Sequence, residues 1–211
     1  MSDSIGHDSI DKALGRLYGT APARQWGPRH PWAFGGPDLL DMVRAYPRSG
    51  PIPHWHYIGF GMSGLYGKES PASEISGWDF EGWGFEVTFR LVREPDDYEP
   101  PMWPGDVLQN LSRYVCRSGK CLEPGDAIRV NGPIVANRQD SAIRAVAVTA
   151  DPELGTIATL NGTVRFLQVV GLTLDEFESA QGGDASALME RLVQYFPLYV
   201  TDIDRESLIA Q

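Results

Sequence analysis

The clearest alternation of hydrophobic and polar positions lies at residues 84–92. Phe85, Val87, Phe89 and Leu91 alternate there with polar side chains. This period of two is typical of a strand with one face in a core, and we predict a central strand here. Similar patterns predict further strands at residues 54–60, 126–131, 143–149, 157–160, 163–170 and 198–203.

One turn in this pattern has a specific chemistry. Asn161-Gly162 separates the predicted strands 157–160 and 163–170. This dipeptide suits a two-residue primed turn, the kind of turn that requires positive φ. We therefore predict a β-hairpin.

Helical spacing of apolar residues marks the other elements. Asp106 is positioned to cap a helix that continues to about residue 117 along an apolar stripe. Thr173 and Glu176 have the spacing of a capping box and predict a second helix start. Further helices are predicted at residues 9–17, 38–46 and 185–196.

Together these elements predict the α+β class, with a mixed, largely antiparallel sheet and helices packed on it. We expect an N-terminal helix and irregular segment over residues 1–35 and the main domain over residues 36–211. No repeat or long linker divides the chain, so we expect one compact domain overall. At 211 residues it can bury roughly 70% of the surface that the unfolded chain exposes.

The charge balance bears on the partner class. Lys and Arg number 18 against 28 Asp and Glu, which gives a formal net charge of -10. A surface of this sign does not favour nucleic acid, whereas a basic protein is a suitable partner. The sequence shows no apolar run of about 20 residues and no secretory leader, so we expect a cytoplasmic protein without a membrane segment.

The motifs associated with catalysis or cofactors are weak. Residues 59–64 match GxGxxG after a predicted strand, but no helical pattern follows, which favours a plain turn over a dinucleotide site. Cys116 and Cys121 lack the spacing of a redox pair or a zinc knuckle. We predict no cofactor and no catalytic residues. The abundant carboxylates are interpreted as a charged surface and not as a catalytic pair. Trp78 and Trp83 lie in a glycine-rich segment and are candidate surface aromatics that could anchor a partner or a second copy. The sequence therefore leaves the oligomeric state open.

The strongest candidate for chemistry is a histidine pair. His54 and His56 are two positions apart on a predicted strand, so both side chains project from one face. A third ligand from His30, Asp38 or Glu86 would complete a metal site. The alternative is a packed strand with hydrogen-bonded histidines. A metal-dependent hydrolase using His54 and His56 therefore stands as the alternative function.

Several strings, in the same order along the chain, resemble the suppressor-of-fused domain over about residues 36–204. They include His54-Trp55-His56-Tyr57-Ile58, Leu65-Tyr66-Gly67, Gly84-Phe85-Glu86-Val87-Thr88-Phe89-Arg90-Leu91, Arg113-Tyr114-Val115, Gly125-Asp126, Val164-Arg165-Phe166-Leu167-Gln168-Val169-Val170-Gly171, Ser179-Ala180-Gln181 and Thr201-Asp202.

This resemblance implies a non-catalytic module that binds a partner protein or peptide. In the animal members a partner peptide is held as an added strand between two domains. The resemblance assigns a tyrosine and an aspartate of that site to Tyr114 and Asp126. With Ile128 on the strand that begins at Asp126, and Asp202 from the last matched string, these residues are the predicted partner-binding set.

The resemblance also separates two kinds of member. The animal proteins continue into a second domain that forms the other half of the clamp, whereas this sequence ends shortly after Asp204. A single-domain form is similar to bacterial members, which implies an immunity protein that neutralises a toxin. An acidic chain suits that role because it would attract a basic toxin surface.

Overall fold

A computed structural model of the chain describes residues 5–63, 83–159 and 162–209. Four α-helices occur in these ranges: α1 (Ile5–Tyr18), α2 (Trp103–Ser118), α3 (Leu174–Ser179) and α4 (Ala185–Tyr195). The strands are β1 (Arg24–Trp26), β2 (Met42–Arg48), β3 (His54–Phe60), β4 (Phe85–Val92), β5 (Ala127–Arg129), β6 (Ile143–Ala150), β7 (Thr156–Thr159) and β8 (Gly162–Thr173). Among the described helices, none combines the length and the apolar character needed to cross a bilayer.

The strands form one mixed sheet in the order β1-β2-β3-β4-β8-β6-β5, with β7 beside β8. The β4–β8 pair is parallel, and the other pairs of described strands are antiparallel. This arrangement confirms the predicted α+β class. Strand β8 holds the sheet together because it pairs with β4 on one side and with β6 and β7 on the other.

Helices cover both faces of the sheet. Helix α2 packs its apolar stripe, which includes Leu108 and Val115, against the main core. On another part of the sheet, α1 contributes Ile10, Leu14 and Tyr18 to a second buried cluster. Helix α4 closes a third cluster against β6 and β8. Because both faces are covered, every residue of β3 is buried.

The predicted helix at residues 38–46 is wrong. Residues Met42–Arg48 form β2, which pairs with β3 along its whole length and with β1 over residues 43–45. Val43 and Ala45 are buried in the main core at a spacing of two. Strand pairing to β3, and to β1 at its centre, satisfies main-chain groups of β2, and this long-range gain outweighs the local helical pattern.

The predicted strand at residues 198–203 is also largely wrong. Pro197–Tyr199 is a short 3-10 turn, and Thr201 forms a single parallel bridge with Leu91. This segment passes close to β8 at Gly171, where a Cβ atom would lie 2.7 Å from Thr201 Cγ2. The absence of a side chain at Gly171 therefore allows the C-terminal segment to pack against the sheet.

Other predicted boundaries agree with the structure more closely. Thr159 lies opposite Gly162 in the β7–β8 pair, as expected for the hairpin, although Leu160 and Asn161 are outside the described residues. The Thr173 N–H donates to Glu176 Oε2 at 2.9 Å at the start of α3. Helix α2 begins at Trp103, before the predicted cap Asp106, with a proline in its first turn.

Candidate functional site

The candidate site is the outer edge of the sheet at β5. This strand pairs only with β6 among the described strands: Val148 N–H donates to Asp126 O at 2.8 Å, and Val130 N–H donates to Arg144 O at 3.1 Å. In an antiparallel pair, alternate residues direct their main-chain groups to the partner strand. The main-chain groups of Ala127 and Arg129 therefore face outward.

These outward groups are largely open. Ala127 O accepts a hydrogen bond from Gln181 Nε2 at 3.4 Å. Within residues 5–63, 83–159 and 162–209, no other hydrogen bond reaches the main-chain groups of Ala127 or Arg129 on this side. An unpaired strand edge of this kind is a template for the addition of another strand.

Polar side chains gather at one end of the edge. Lys120 Nζ lies 3.0 Å from Asp126 Oδ1, and the Glu123 N–H donates to Asp126 Oδ2 at 3.0 Å. The Asp126 carboxylate and, to a smaller extent, Tyr114 raise the pKa of Lys120 above its ordinary value. Tyr114 stands on α2 with 40% of its surface exposed. The Lys120 ammonium thus pairs with the Asp126 carboxylate and lies within electrostatic range of the Tyr114 phenol.

The structure brings three of the four predicted partner-binding residues together. Tyr114 and Asp126 are both within electrostatic range of Lys120, and Ile128 is on β5 with its side chain packed against the main core. Asp202 lies elsewhere. Across the sheet, Ile128 of β5 pairs with Val146 of β6, and Val146 pairs with Gly171 of β8. Thr201, next to Asp202, contacts Gly171 from the other side of β8. Strands β6 and β8 therefore separate Asp202 from the β5 edge. The Asp202 carboxylate accepts the Asp204 N–H at 2.9 Å.

The histidine pair lies in the interior. His54 and His56 are both fully buried, and burial lowers the pKa of each imidazole to about 4. Tyr18 Oη hydrogen-bonds to His56 Nδ1, and His56 Nε2 lies 3.0 Å from Asp151 Oδ2. His54 Nδ1 contacts Ile52 O at 2.6 Å. This arrangement corresponds to the alternative of hydrogen-bonded histidines in a packed strand.

Two of the proposed third metal ligands, Asp38 and Glu86, have other partners. Asp38 binds Arg113 and the His30 N–H. Glu86 accepts hydrogen bonds from the turn that follows β3. In the part of the chain that the structure describes, no three His, Cys, Asp or Glu side chains are grouped as a metal site.

The glycine motif after β3 is a turn around a carboxylate. The N–H groups of Gly61, Met62 and Ser63 all donate to Glu86, at 3.0, 3.2 and 3.1 Å. These donors are therefore used within the protein, whereas a phosphate site would leave them for the ligand. The last glycine of the motif, Gly64, lies outside the described residues, as do Trp78 and the string Leu65-Tyr66-Gly67.

Tyr18, His56 and Asp151 form a hydrogen-bonded chain of hydroxyl, imidazole and carboxylate, the same order of groups as in a catalytic triad. All three side chains are buried, and burial raises the pKa of Tyr18 above its ordinary value. The phenol is therefore neither accessible nor activated. The hydrogen-bond chain instead joins α1 to the interior of the sheet.

Sequence reasoning gave no role to two side chains at the edge, Lys120 and Gln181. Gln181 belongs to the string Ser179-Ala180-Gln181, which carried part of the resemblance but no functional assignment. Lys120 follows the end of α2 and had no signal beyond its charge. Their roles become visible only when the chain is folded, because each contacts the strand from a different layer.

Known proteins that are similar to this chain indicate its family. A family model described as Suppressor of fused protein (SUFU) matches residues 36–206. The Suppressor of fused homologs of Mus musculus and Homo sapiens are each 39% identical to the chain over 186 residues. The match covers 83% of this chain and 38% of each relative, so the chain spans well under half the length of these curated relatives.

Solved structures show the same similarity. The crystal structure of Drosophila Suppressor of Fused matches with a TM-score of 0.85 at 31% identity, over 97% of this chain and 51% of that one. The Sufu-Fu complex crystal structure matches with a TM-score of 0.84 at 31% identity, over 96% and 92%. A SUFU homolog from Neisseria gonorrhoeae, at 14% identity and a TM-score of 0.65 over 95% and 94%, shares the fold alone.

Proposed function

The chain belongs to the suppressor of fused family, and from this premise we propose that it is a non-catalytic module that binds a partner protein through the open edge of β5. The observation that carries the proposal is the outward main chain of Ala127 and Arg129. Among the described residues, only Gln181 contributes a hydrogen bond to it. A similar protein is present in a Sufu-Fu complex structure, which supports protein binding as the activity.

The geometry favours an extended partner segment. Main-chain hydrogen bonds to Ala127 and Arg129 would supply affinity for any strand, while side chains beside the edge would select among sequences. Tyr114 offers an exposed ring and Asp126 a carboxylate at one end of the edge. Tyrosine is common at binding hot spots because it combines a large apolar area with a hydroxyl group.

The charge of the chain supports a basic partner. A net charge of -10 raises the rate at which a positively charged protein approaches. We extend the proposal to a toxin-neutralising immunity protein of the bacterial type, for which a basic toxin would be the partner. Cys116 and Cys121 are both free thiols, which suits a reducing compartment such as the cytoplasm.

The test is partner capture from the native cell with the wild-type chain and a Tyr114→Ala, Asp126→Arg double variant. We expect the Kd of the variant for the partner to increase by at least about tenfold, because both substitutions fall at proposed hot-spot positions, so that capture is lost. Tyr98→Ala, Glu94→Arg is a matched control because both side chains are exposed in the loop between β4 and α2. Identical partner lists for all three proteins would overturn the assignment of the site.

A further inference from the structure

The turn between α3 and α4 lies beside the outer edge of β5. Residues Ala180–Asp184 form this turn, and α3 itself packs against β5. Gln181 extends from the turn and donates its Nε2 to Ala127 O at 3.4 Å. That distance is at the long end of hydrogen-bond geometry, and the side chain is exposed, so the contact is weak. Gln181 thus occupies a main-chain acceptor that an added strand would use.

The turn has the backbone properties of a segment that can rearrange. It is a kink between two helices, at which the backbone leaves the helical conformation. Gly183 has a φ of 109°, outside the helical region, and follows another glycine. Glycine pairs allow large changes in φ and ψ without a steric penalty. Displacement of Gln181 therefore does not require α3 or α4 to unfold.

A second side chain reaches the same edge from the opposite face. Lys120 follows α2, and its ammonium pairs with Asp126 at 3.0 Å while 54% of its side chain is exposed. An ion pair in this environment is worth little because solvent screens it. In the free protein the Asp126 carboxylate, which would select a cationic residue of the partner, is thus paired with Lys120 through a weak ion pair.

We propose that Gln181 and Lys120 form a removable cap on the β5 edge. The inference rests on the proposed function. In the free protein the amide of Gln181 holds Ala127 O and the ammonium of Lys120 holds Asp126. An incoming extended segment replaces the first with its main-chain N–H and the second with a cationic side chain. The partner that fits this surface is therefore an extended segment carrying a lysine or arginine next to the residue that pairs with Ala127.

The cap also explains how an open edge is kept from non-specific pairing. An exposed strand edge promotes aggregation unless charges or covering groups protect it. Lys120 provides the charge and Gln181 the cover. A segment without its own cation has no group that can replace Lys120 at Asp126, so it would bind less well.

The experiment is a titration of a synthetic peptide, acetyl-Thr-Val-Arg-Val-Thr-amide, into the isotope-labelled chain, followed by the amide resonances of Ala127 and Arg129. We compare wild type with Gln181→Ala and Lys120→Met. Each variant removes one weak competing contact, so we expect binding to be tighter by about two- to fivefold. Gln194→Ala, an exposed glutamine on α4, is the control and should bind like wild type.

A peptide with glutamate in place of arginine separates the two halves of the cap. The gain from Lys120→Met should disappear for this peptide because the uncovered Asp126 repels it, whereas the gain from Gln181→Ala should remain. Equal affinity of all four proteins for the arginine peptide, with the edge resonances shifted in each, would overturn the cap and leave strand addition intact. No shift at Ala127 or Arg129 in any protein would overturn strand addition and the cap together.

Discussion

Arg90 and Asp151 form a two-point ion pair in the interior of the protein. Arg90 Nη1 lies 2.9 Å from Asp151 Oδ2 and Nη2 lies 3.1 Å from Oδ1, and both side chains are fully buried. Thr88 Oγ1 donates to Asp151 Oδ2 at 2.8 Å, and His56 adds a further contact. Burial alone would raise the pKa of Asp151, but His56 and Arg90 hold it well below its ordinary value.

We expect Asp151→Ala to lower the free energy of unfolding by about 3–5 kcal/mol, because the variant leaves the Arg90 guanidinium buried without this counter-ion. Urea unfolding at neutral pH measures this change. Glu190→Ala, which removes an exposed carboxylate from α4, is the control and should stay within about 0.5 kcal/mol of wild type. Similar losses for the two variants would contradict the role of the ion pair.

Glu86 gives a prediction about pH. Burial raises the pKa of this carboxyl to about 7, although the Ser63 hydroxyl and three N–H groups oppose the rise. The folded protein therefore holds the proton more tightly than the unfolded chain does, and ionisation of Glu86 destabilises the fold as the pH rises from about 4.5 to about 7. Glu86→Gln cannot ionise.

We therefore expect the stability of Glu86→Gln relative to wild type to increase across this pH range, by on the order of 3 kcal/mol. Unfolding curves of both proteins at pH 4.5, 5.5, 6.5 and 7.5 provide the comparison. His54 and His56 titrate in both proteins, so their contribution cancels in the difference. A relative stability that falls with pH would show that the four hydrogen bonds outweigh burial.

Gly171 gives a steric prediction. A Cβ atom there would lie 2.7 Å from Thr201 Cγ2 and 2.8 Å from Ile143 Cγ2. We expect Gly171→Ala to cost about 1–3 kcal/mol, as overpacking does, and to expose the segment after Tyr199 to protease. Gly182→Ala is the control because a Cβ atom at that position would have no heavy atom of the described residues within 4 Å, and its φ is not in the positive region. Equal protease sensitivity of both variants would contradict the close approach.

Arg113 gives a prediction about the loop that precedes β2. Its Nε donates to Asp38 Oδ1 at 2.9 Å, while the His30 N–H donates to Asp38 Oδ2 at 2.8 Å. Asp38 is almost fully buried, so Arg113→Ala removes its cation and should cost about 1–3 kcal/mol. Hydrogen exchange should speed up at His30 and Trp32. Arg117→Ala, an exposed arginine on the same helix, should change neither quantity.

The sequence predicted the centre of the sheet better than its margins. The alternation at residues 84–92 located β4 and its apolar face, but it did not reveal that Arg90 on the other face is completely buried. Arg90 can be buried because Asp151, far along the chain, neutralises it. Strand β2 was missed for a related reason: its conformation depends on β1 and β3, whereas the local pattern of residues 38–46 resembled a helix.

The candidate site was predictable only in part. The resemblance located Tyr114 and Asp126, and the pattern of alternation placed Ile128 on the same strand. It could not show that Asp202 is separated from them by two strands, because strand order is not encoded in local spacing. The contact of Gln181 with Ala127 joins residues 54 positions apart, and no periodicity signals such a pair.

The parallel pairing of β4 with β8 has a consequence for protein synthesis. Phe85 lies opposite Arg165, so β4 leaves the ribosome long before its neighbour has been translated. During that interval one side of β4 lacks a strand partner, and exposed edges of this kind favour association of nascent chains. The sheet can therefore be completed only when β8 has emerged, and a nascent chain stalled before that point exposes the unpaired side of β4.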